Sequence, residues 1–284
     1  MSENEKAARR KKIAHVIMWI VLLVLFICFI FPFLLVIINV FKTKADITTN
    51  PLALLGAHGF TLKNFPEAMK KMNFLTVFGN SLIITVCATV LTIVVSAMTA
   101  FVYVRNKNWK ICTLMFSLMI ASMVIPFQVL MVPLVSVYGS VLNHRVTLIL
   151  MHVGFSVSMA MFMFHGSIKT NIPLDLEEAA TIDGCSRWQT FWKVVFPLLK
   201  PTIATVGIIN AMAYWNDYLL PSLVLKKKAL YTIPIATQAF YGTYSTDIGL
   251  IMAALLLAML PILILYVFLQ RYIVEGVTSG AVKG

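Results

Sequence analysis

The chain has 284 residues, of which 60% are hydrophobic and only 12% are charged. A soluble globular domain is about one-quarter charged, so this composition excludes an ordinary soluble fold and indicates a membrane protein. The formal net charge of +12 could suggest a nucleic-acid partner. In a membrane protein, however, an excess of Lys and Arg also marks the loops that face the cytoplasm, and we predict no nucleic-acid binding.

Six apolar segments are long enough to cross a bilayer, which requires about 20 apolar residues per helix. Five of them contain no Asp, Glu, Lys or Arg, and the other, 201–225, is interrupted only by Asp217. The segments cover residues 13–41, 74–104, 111–143, 146–168, 201–225 and 248–270. We therefore predict an all-α membrane protein with one six-helix transmembrane domain over residues 13–270.

Residues 1–12 form a basic tail that resembles the beginning of a signal peptide. The apolar stretch after it exceeds the roughly 7–15 residues of such a peptide, and no small-residue cleavage site follows. We therefore expect a retained anchor. Six helices would place both termini on one side, together with 169–200 and the tail 271–284. That side carries most of the Lys and Arg residues, so both termini are predicted to be cytoplasmic.

Two features between these segments predict local structure. The loop 42–75 is the longest on the outer side, contains turn residues such as Gly56 and Gly59, and is expected to hold a short helix near 64–72. The third apolar segment contains Pro126 and Pro133, so its helix is expected to bend or break there.

The second apolar segment carries a row of hydroxyl side chains at spacings of three and four, which places them on one helical face. The row consists of Ser81, Thr85, Thr89, Thr92, Ser96 and Thr99. Such a face could line a path for a polar solute. It could equally allow close helix packing, in which small hydroxylated residues are enriched.

Polar side chains also occur in the fourth and fifth segments. Asn210, Tyr214 and Asp217 share one face of the fifth segment, and His152 and Ser156 form a similar pair on the fourth. An ionisable group at membrane depth is costly and is a functional candidate by default. These five residues are therefore candidates for lining a pathway or gate, with structural hydrogen bonding as the alternative.

The sequence contains no motif for chemistry of its own. It has no HExxH, GxSxG or GxxxxGK[ST] sequence, so neither a catalytic site nor nucleotide hydrolysis is predicted. Its four cysteines have no metal-ligand spacing, and no metal site is predicted. The carboxylate and histidine chains of a proton-coupled carrier are also missing. Energy for any transport must then come from another protein.

A polar insert, residues 169–200, interrupts the apolar segments and predicts a pair of short helices. Pro173 suits a helix start, and the acidic residues that follow favour the positive end of a helix over 174–182. Gly184 suits the left-handed residue that ends such a helix.

The second short helix is predicted over 186–195. Ser186 with Gln189 three residues later is a capping-box pattern, and Pro197 and Pro201 would redirect the chain into the membrane. The insert is thus predicted to be a helix–turn–helix elbow facing the cytoplasm. A loop that merely lies at the membrane surface is the alternative, but the closely set caps and prolines favour docking to a partner.

The elbow resembles the EAA motif of permeases of ATP-binding-cassette (ABC) importers. Glu178-Ala179-Ala180 is followed by Gly184 and then by Val194-x-Phe196-Pro197, where the usual motif ends in Ile-x-Leu-Pro. The fuller run around this motif is similar to MalG-like permeases of the carbohydrate-uptake branch; it consists of IPLDLEEAATIDG at 172–184 and FWKVVFPLLKP at 191–201. Two other stretches are similar to the same branch, WNDYLLPSLVL at 215–225 and RYIVEGVTSGAVKG at 271–284.

The resemblance implies a type I ABC importer permease fold in the cell membrane and assigns roles to three sets of residues. The elbow would dock in a cleft of a cytoplasmic ATPase through Glu178, Ala179, Ala180, Asp183, Gly184 and Pro197. The C-terminal tail would also contact the ATPase, through Gly276, Ser279, Gly280 and Lys283. The loop 229–247 would approach an external binding protein with Tyr231, Phe240, Tyr241 and Tyr244.

The resemblance further implies an importer of sugars, most simply oligosaccharides, driven by ATP. Its other parts would be a second, MalF-like permease, a homodimeric ATPase that holds ATP and Mg²⁺, and an extracytoplasmic solute-binding protein. This chain would bind no cofactor and would not be an enzyme. The alternatives are an ABC permease for glycerol phosphate, phosphate or peptide, and a membrane scaffold that transports nothing.

Overall fold

The computed structural model describes the backbone of residues 3–243 and 247–281, and the side chains of 11–243, 247–264, 266 and 267. Within this part of the chain all regular elements are helical. The α-helices are α1 (Glu3–Val40), α2 (Lys44–Thr49), α3 (Asn64–Met72), α4 (Phe74–Arg105), α5 (Lys110–Ser122), α6 (Phe127–Tyr138), α7 (Arg145–Asn171), α8 (Leu174–Ile182), α9 (Arg187–Thr190), α10 (Phe196–Leu198), α11 (Lys200–Asn216), α12 (Leu219–Val224), α13 (Ile233–Thr243) and α14 (Ile248–Ala281).

Three single helices in the described residues are long and apolar enough to cross a membrane, namely Lys11–Val40, Phe74–Arg105 and Arg145–Asn171. Two bent pairs raise the number to five if each pair forms one span. The sixth predicted span falls within α14, whose part with described side chains includes the shorter apolar helix Ile248–Ile264. The predicted spans thus correspond to helices, whereas the count of six stays a prediction.

The third predicted span breaks as expected from its prolines. α5 ends at Ser122 and α6 begins at Phe127, with an angle of 104° between the two helices of the pair. Pro126 is the N-cap of α6, where its missing N–H is not needed. Pro133, by contrast, lies inside α6 and does not end it.

The fifth predicted span is wrong in one respect, because the helix does not continue to residue 225. α11 ends at Asn216, and Asp217 has an extended backbone with ψ of 127°. In a continuous helix the ring of Pro221 would collide with the carbonyl group of Asp217. The carboxylate of Asp217 instead accepts a hydrogen bond from the N–H of Leu219 at 3.0 Å, and α12 starts there.

The described chain divides into two compact units. One contains residues up to 72 together with 240–257, and the other contains residues 73–239 together with those from 258 onward. In the second unit, α4 packs along α7 and α11. Ala88, Ala97 and Ala100 are fully buried on α4, so their small side chains allow the close approach of these helices.

The hydroxyl row of α4 takes part in this packing. Thr92 and the phenol of Tyr214 share a hydrogen bond of 2.9 Å, and Ser96 donates to the carbonyl of Val157 at 3.3 Å. Ser81 accepts a hydrogen bond from the N–H of Ile233 at 2.8 Å. These contacts favour the packing interpretation of the row over the pathway interpretation.

The first unit contains α1 and the segment that follows it. The most apolar window of α1 has a mean hydropathy of 3.4, and none of it is buried, so lipid or another subunit must surround this helix. After α1, the buried ammonium group of Lys42 donates to the side-chain oxygen of Asn39 at 3.1 Å and to the carbonyls of Asn50 and Pro51 at 3.3 Å. The helix predicted near 64–72 is confirmed as α3.

Asp46 closes the loop between α2 and α3. Its carboxylate lies 2.9 Å from Nδ1 of His58 and accepts a hydrogen bond of 2.8 Å from the hydroxyl of Thr43. The hydrogen bond with the His58 side chain is the main reason that the pKa of Asp46 is lowered from its ordinary value. A Cβ atom at Gly56 would lie only 2.3 Å from Oδ2 of Asp46, so the loop needs glycine at this position.

We expect Gly56→Ala to displace the Asp46 side chain, weaken its hydrogen bond with His58 and loosen residues 43–60. Hydrogen–deuterium exchange of these amides should therefore be faster in the variant than in the wild type. Ala57→Ser, at the exposed neighbouring position, should leave exchange unchanged. Because the folded-state pKa of Asp46 is lowered, its contribution is present at neutral pH and is lost as the pH falls through that pKa. Equal exchange in Gly56→Ala and wild type would contradict this account.

Candidate functional site

The first half of the insert 169–200 folds as the sequence predicts. α8 covers Leu174–Ile182, and Gly184 has a φ of +81°, which an L-amino acid adopts only with strain. The N–H of Gly184 donates to the carbonyl of Thr181 at 3.0 Å, and that of Cys185 to the carbonyl of Ala180 at 2.9 Å. These two bonds form a Schellman motif, which satisfies the end of α8 and turns the chain sharply.

The second half begins with the predicted capping box. The N–H of Gln189 donates to the hydroxyl oxygen of Ser186 at 3.3 Å, while the side-chain oxygen of Gln189 accepts from the N–H of Ser186 at 2.8 Å. The helix predicted over 186–195 is confirmed, but its second half, Phe191–Val195, is a π-helix, which was not predicted. Pro197 has no N–H for the carbonyl of Lys193 and crowds it. The preceding turn is widened, and the N–H of Phe196 reaches the carbonyl of Phe191.

The chain then turns into α11 as expected. The helical segments Arg187–Leu198 and Lys200–Asn216 meet at an angle of 77°. Leu199 between them is fully buried, and Pro197 and Pro201 flank it. We call residues 173–199 the elbow; it connects α7 to α11.

The outer surface of the elbow combines predicted and unpredicted residues. Of the six predicted docking residues, five are exposed, namely Glu178, Ala179, Asp183, Gly184 and Pro197. Ala180 is buried, with 7% of its surface exposed, because it lies on the inner face of α8. It therefore does not contribute to the exposed surface of the elbow, contrary to the expectation that it is a docking residue. Five large apolar side chains of the elbow are also exposed, most of all Ile182 at 86% and Trp188 at 60%.

Exposed Ile182 and Trp188 were not predicted, although their presence in an otherwise polar insert was a usable signal. Apolar groups of this size seldom stay in water together unless they contact another surface. Beside them lies a cavity of about 680 Å³, which is lined by Met98, Phe101, Arg105, Glu178, Ile182 and Trp188, among others. The elbow therefore offers both a protruding apolar surface and an adjacent groove.

One arginine fastens the elbow to the membrane helices. Nε of Arg105, the last residue of α4, donates to a carboxylate oxygen of Glu177 at 2.7 Å. Its Nη2 also donates to the carbonyl of Ile172 at 2.9 Å, where α7 has just ended. The side chains of Arg105 and Glu177 are only 18% and 11% exposed. We call this arrangement the Arg105 clamp; sequence spacing gave no indication of it.

A second cavity, of about 610 Å³, lies among α5, α6, α7, α11 and α12, and we call it the membrane cavity. Four of the five predicted pathway residues line it, namely His152, Ser156, Tyr214 and Asp217. Nδ1 of His152 is 3.9 Å from a carboxylate oxygen of Asp217, and the rings of His152 and Tyr214 are 4.5 Å apart.

Asn210, the fifth predicted pathway residue, does not line this cavity. Its amide donates to the carbonyl of Val206 in its own helix at 2.8 Å, which supports the structural alternative for this residue. Residues that the sequence analysis did not single out complete the lining. They include Ser122, Phe127, Phe155 and Ser158.

The segment predicted to be a binding-protein loop is largely helical. Residues 233–243 form α13, and its apolar positions Ile233, Ala236 and Phe240 are buried on one face. Phe240 is only 4% exposed, so its side chain does not face outward as the predicted approach to a binding protein requires. Tyr231 packs against the apolar core. Tyr241 is 55% exposed, while Tyr244 lies outside the described residues.

The predicted C-terminal contact residues can be located only in part. Gly276, Ser279 and Gly280 lie within α14. Their side chains and Lys283 lie outside the described residues.

Comparison with known proteins agrees with the resemblance to permeases of ABC importers. Residues 92–279 match the family described as "Binding-protein-dependent transport system inner membrane component". The chain is 39% identical to a probable starch degradation products transport system permease protein of Thermoanaerobacterium thermosulfurigenes, over 92% of this chain and 94% of that protein. It is 33% identical to a melibiose/raffinose/stachyose import permease protein of Bacillus subtilis, over 89% of this chain and 91% of that protein.

A solved structure shares the fold. It is the crystal structure of a bacterial ABC transporter involved in the import of the acidic polysaccharide alginate. One of its chains superposes with a TM-score of 0.77 at 18% identity, over 93% of this chain and 98% of that one. The predicted membrane location agrees with both comparisons. The chain therefore belongs to the family of binding-protein-dependent transport system inner membrane components, the membrane-embedded permease subunits of ABC transporters.

Proposed function

We propose that this chain is one of two different permease subunits of an ATP-driven importer of sugars, most simply oligosaccharides. The observation that carries the coupling role is the elbow, whose exposed Ile182 and Trp188 stand beside a groove between the end of α4 and the elbow's own helices. The relatives support the solute class, since they are named for starch degradation products and for melibiose, raffinose and stachyose.

In this proposal both termini and the elbow face the cytoplasm, and six helices cross the membrane. A homodimeric ATPase holds ATP and Mg²⁺ and receives the elbow, and the C-terminal tail contacts the same ATPase. An extracytoplasmic solute-binding protein delivers the sugar, and a second, MalF-like permease completes the pathway.

The clamp provides a physical route from the elbow to the membrane helices. When two ATPase subunits close on ATP, the docked elbow moves with them. Arg105 holds α8 to α4 and to the end of α7, so displacement of α8 acts on both helices together. The chain itself carries out no bond-making step; its part is to convert ATPase closure into alternating access.

The solute class can be tested by uptake in a strain that lacks only this chain. We expect loss of uptake of one class of labelled sugar, with phosphate, glycerol phosphate and peptide uptake unchanged. Restoring the chain on a plasmid should restore the sugar uptake. Loss of a non-sugar solute alone would overturn the sugar proposal and keep the ABC assignment. No loss for any solute would favour a scaffold that does not transport.

Gly184 should be required because of its backbone conformation. A Cβ at this position meets nothing within 4 Å, so steric contact is not the reason. The left-handed φ of +81° costs about 1–2 kcal/mol for a residue other than glycine, and least for Asn. We expect uptake to decrease in the order wild type, Gly184→Asn, Gly184→Val at equal membrane levels. Gly166→Ala, in the body of α7 with open space around it, is the control and should transport normally. Full uptake by Gly184→Val would show that the turn is not needed.

Arg105→Ala should uncouple ATP hydrolysis from transport. It leaves the carboxylate of Glu177 mostly buried without its charged partner, which costs about 3 kcal/mol at this joint. We expect uptake to fall more than the ATPase activity of the assembled complex. Arg105→Lys should recover only part of the uptake. The planar guanidinium group donates to Glu177 and to the carbonyl of Ile172 at once, and an ammonium group cannot reproduce this geometry.

A second substitution separates coupling from general stability. In Arg105→Ala, the added change Glu177→Gln removes the unpaired charge, so protein levels should recover whereas uptake should not. Recovery of both together would mean that the clamp only stabilises the fold.

A further inference from the structure

We propose that this subunit itself provides a binding subsite for one sugar ring, in the membrane cavity. The inference rests on the proposed function only in taking the solute to be a sugar. It goes beyond that function by placing the solute against this chain and by naming the contacts. The volume of about 610 Å³ is within the usual range of roughly 300–1,000 Å³ for small-molecule pockets.

The cavity lies where two predicted membrane-spanning helices are interrupted. Met123, Ile125 and Phe127 from the break between α5 and α6 line it, as do Asp217 and Leu219 from the break between α11 and α12. Irregular backbone at membrane depth is tolerated only where protein covers it or where it faces a polar cavity. Two breaks that meet at one cavity therefore favour a polar occupant there.

An aromatic pair supplies an apolar wall. The rings of Phe127 and Phe155 meet edge to face at 87°, with centroids 5.2 Å apart. Phe155 still exposes 43% of its surface, so one ring remains accessible. The C–H-rich face of a pyranose can pack on such a ring, because the electron-rich face of the aromatic attracts weakly positive hydrogens.

Hydrogen-bond donors and acceptors line the same cavity as the two aromatic rings. The hydroxyls of Ser122 and Ser158 are 3.1 Å apart, and hydroxyl groups can donate or accept. The carboxylate of Asp217 is 26% exposed and is an acceptor for sugar hydroxyls. Nε2 of His152 is buried and has no hydrogen-bond partner within the described part of the chain. A ring nitrogen in that state favours a ligand that brings its own hydroxyl.

The charge of the lining distinguishes a sugar from an anion. The lining residues given by the described structure include Asp217 but no Lys or Arg. A phosphate or another anionic solute would be repelled by the carboxylate and would find no cation to pair with. A neutral polyol with a C–H face uses the carboxylate, the hydroxyls and the aromatic ring together. The cavity thus favours the carbohydrate class over phosphate and glycerol phosphate.

The subsite can be tested with a matched pair of substitutions on α7. Phe155 and Phe162 have similar exposure, 43% and 48%, but only Phe155 lines the cavity. In the complete transporter, Phe155→Ala should lower the maximal rate of sugar uptake up to about tenfold, as expected for one lost aromatic contact. ATPase stimulation by the binding protein should be retained, because the elbow is untouched. Phe155→Tyr should restore uptake, and Phe162→Ala should match the wild type.

Direct contact can be measured by thiol labelling. The variant Ser156→Cys, made in a chain whose four natural cysteines are replaced by serine or alanine, places a thiol on the cavity wall. The sugar whose uptake depends on this chain should slow labelling of the complete transporter, and an untransported sugar should not. Adding Phe155→Ala should remove the protection, with each variant compared with its own labelling rate in the absence of sugar.

Each outcome bears on a different statement. Wild-type sugar uptake with no protection of Ser156→Cys, or equal effects of Phe155→Ala and Phe162→Ala, would overturn the subsite but leave the proposed function standing. Parallel loss of uptake and ATPase stimulation in Phe155→Ala would assign that residue to folding and also overturn the subsite. Absence of any sugar uptake that depends on this chain would instead overturn the proposed function itself.

Discussion

The Arg105 clamp is the interaction on which the coupling geometry depends. The ends of α4 and α7 and the first turn of α8 each contribute one group to it. The charges also agree with the helix dipoles, since Arg105 closes the C-terminal end of α4 and Glu177 lies in the first turn of α8. With the pair largely shielded from water, screening by salt is weak and the joint can act as a fixed connection.

The helices whose ends the clamp joins, α4 and α7, are tightly packed. α4 and α7 approach closely because α4 presents buried alanines and small hydroxylated residues to its neighbours. In lipid, apolar side chains gain little free energy by exchanging lipid contacts for contacts with one another. Close van der Waals packing and interhelical hydrogen bonds therefore hold the helices together. In the proposed function, a movement at the elbow would therefore be passed to a packed pair of helices.

The same unit contains places where regular structure stops, and they are not distributed at random. The break before Pro126 and the break at Asp217 meet at the membrane cavity. The π-helix Phe191–Val195 lies in the elbow. Breaks of this kind cost backbone hydrogen bonds, so a membrane protein keeps them where a cavity or a moving part requires them. The elbow and the cavity are thus two parts of the described chain where long helices are interrupted.

Family membership bears on the role of the chain as a permease, and the membrane cavity bears on the solute. The family match over residues 92–279 includes α7, the elbow and α11, and so accounts for the permease role. It does not specify the solute. In the proposed importer, selectivity would be shared among this chain, its partner permease and the binding protein, so the lining of one cavity would set only a part of it.

The sequence alone determined the local features of this protein. Uninterrupted apolar segments, the capping box at Ser186, the left-handed Gly184 and the helix at 64–72 all follow from neighbouring residues, and each is present in the structure. The helical continuation through Asp217 was wrong, and the π-helix in the second helix of the elbow was not predicted. In both places a proline, Pro221 or Pro197, is incompatible with the regular helix because its ring crowds the carbonyl group four residues earlier.

Only the tertiary structure decided which distant residues meet. Arg105 and Glu177 are 72 positions apart, and Ser122 and Ser158 are 36 apart, so spacing along the chain could not pair them. The burial of Phe240 and the exclusion of Asn210 from the cavity likewise depend on how each helix is rotated about its axis. That rotation is set by packing against neighbouring helices, which in an all-apolar membrane sequence leaves little trace in the pattern of hydrophobic residues.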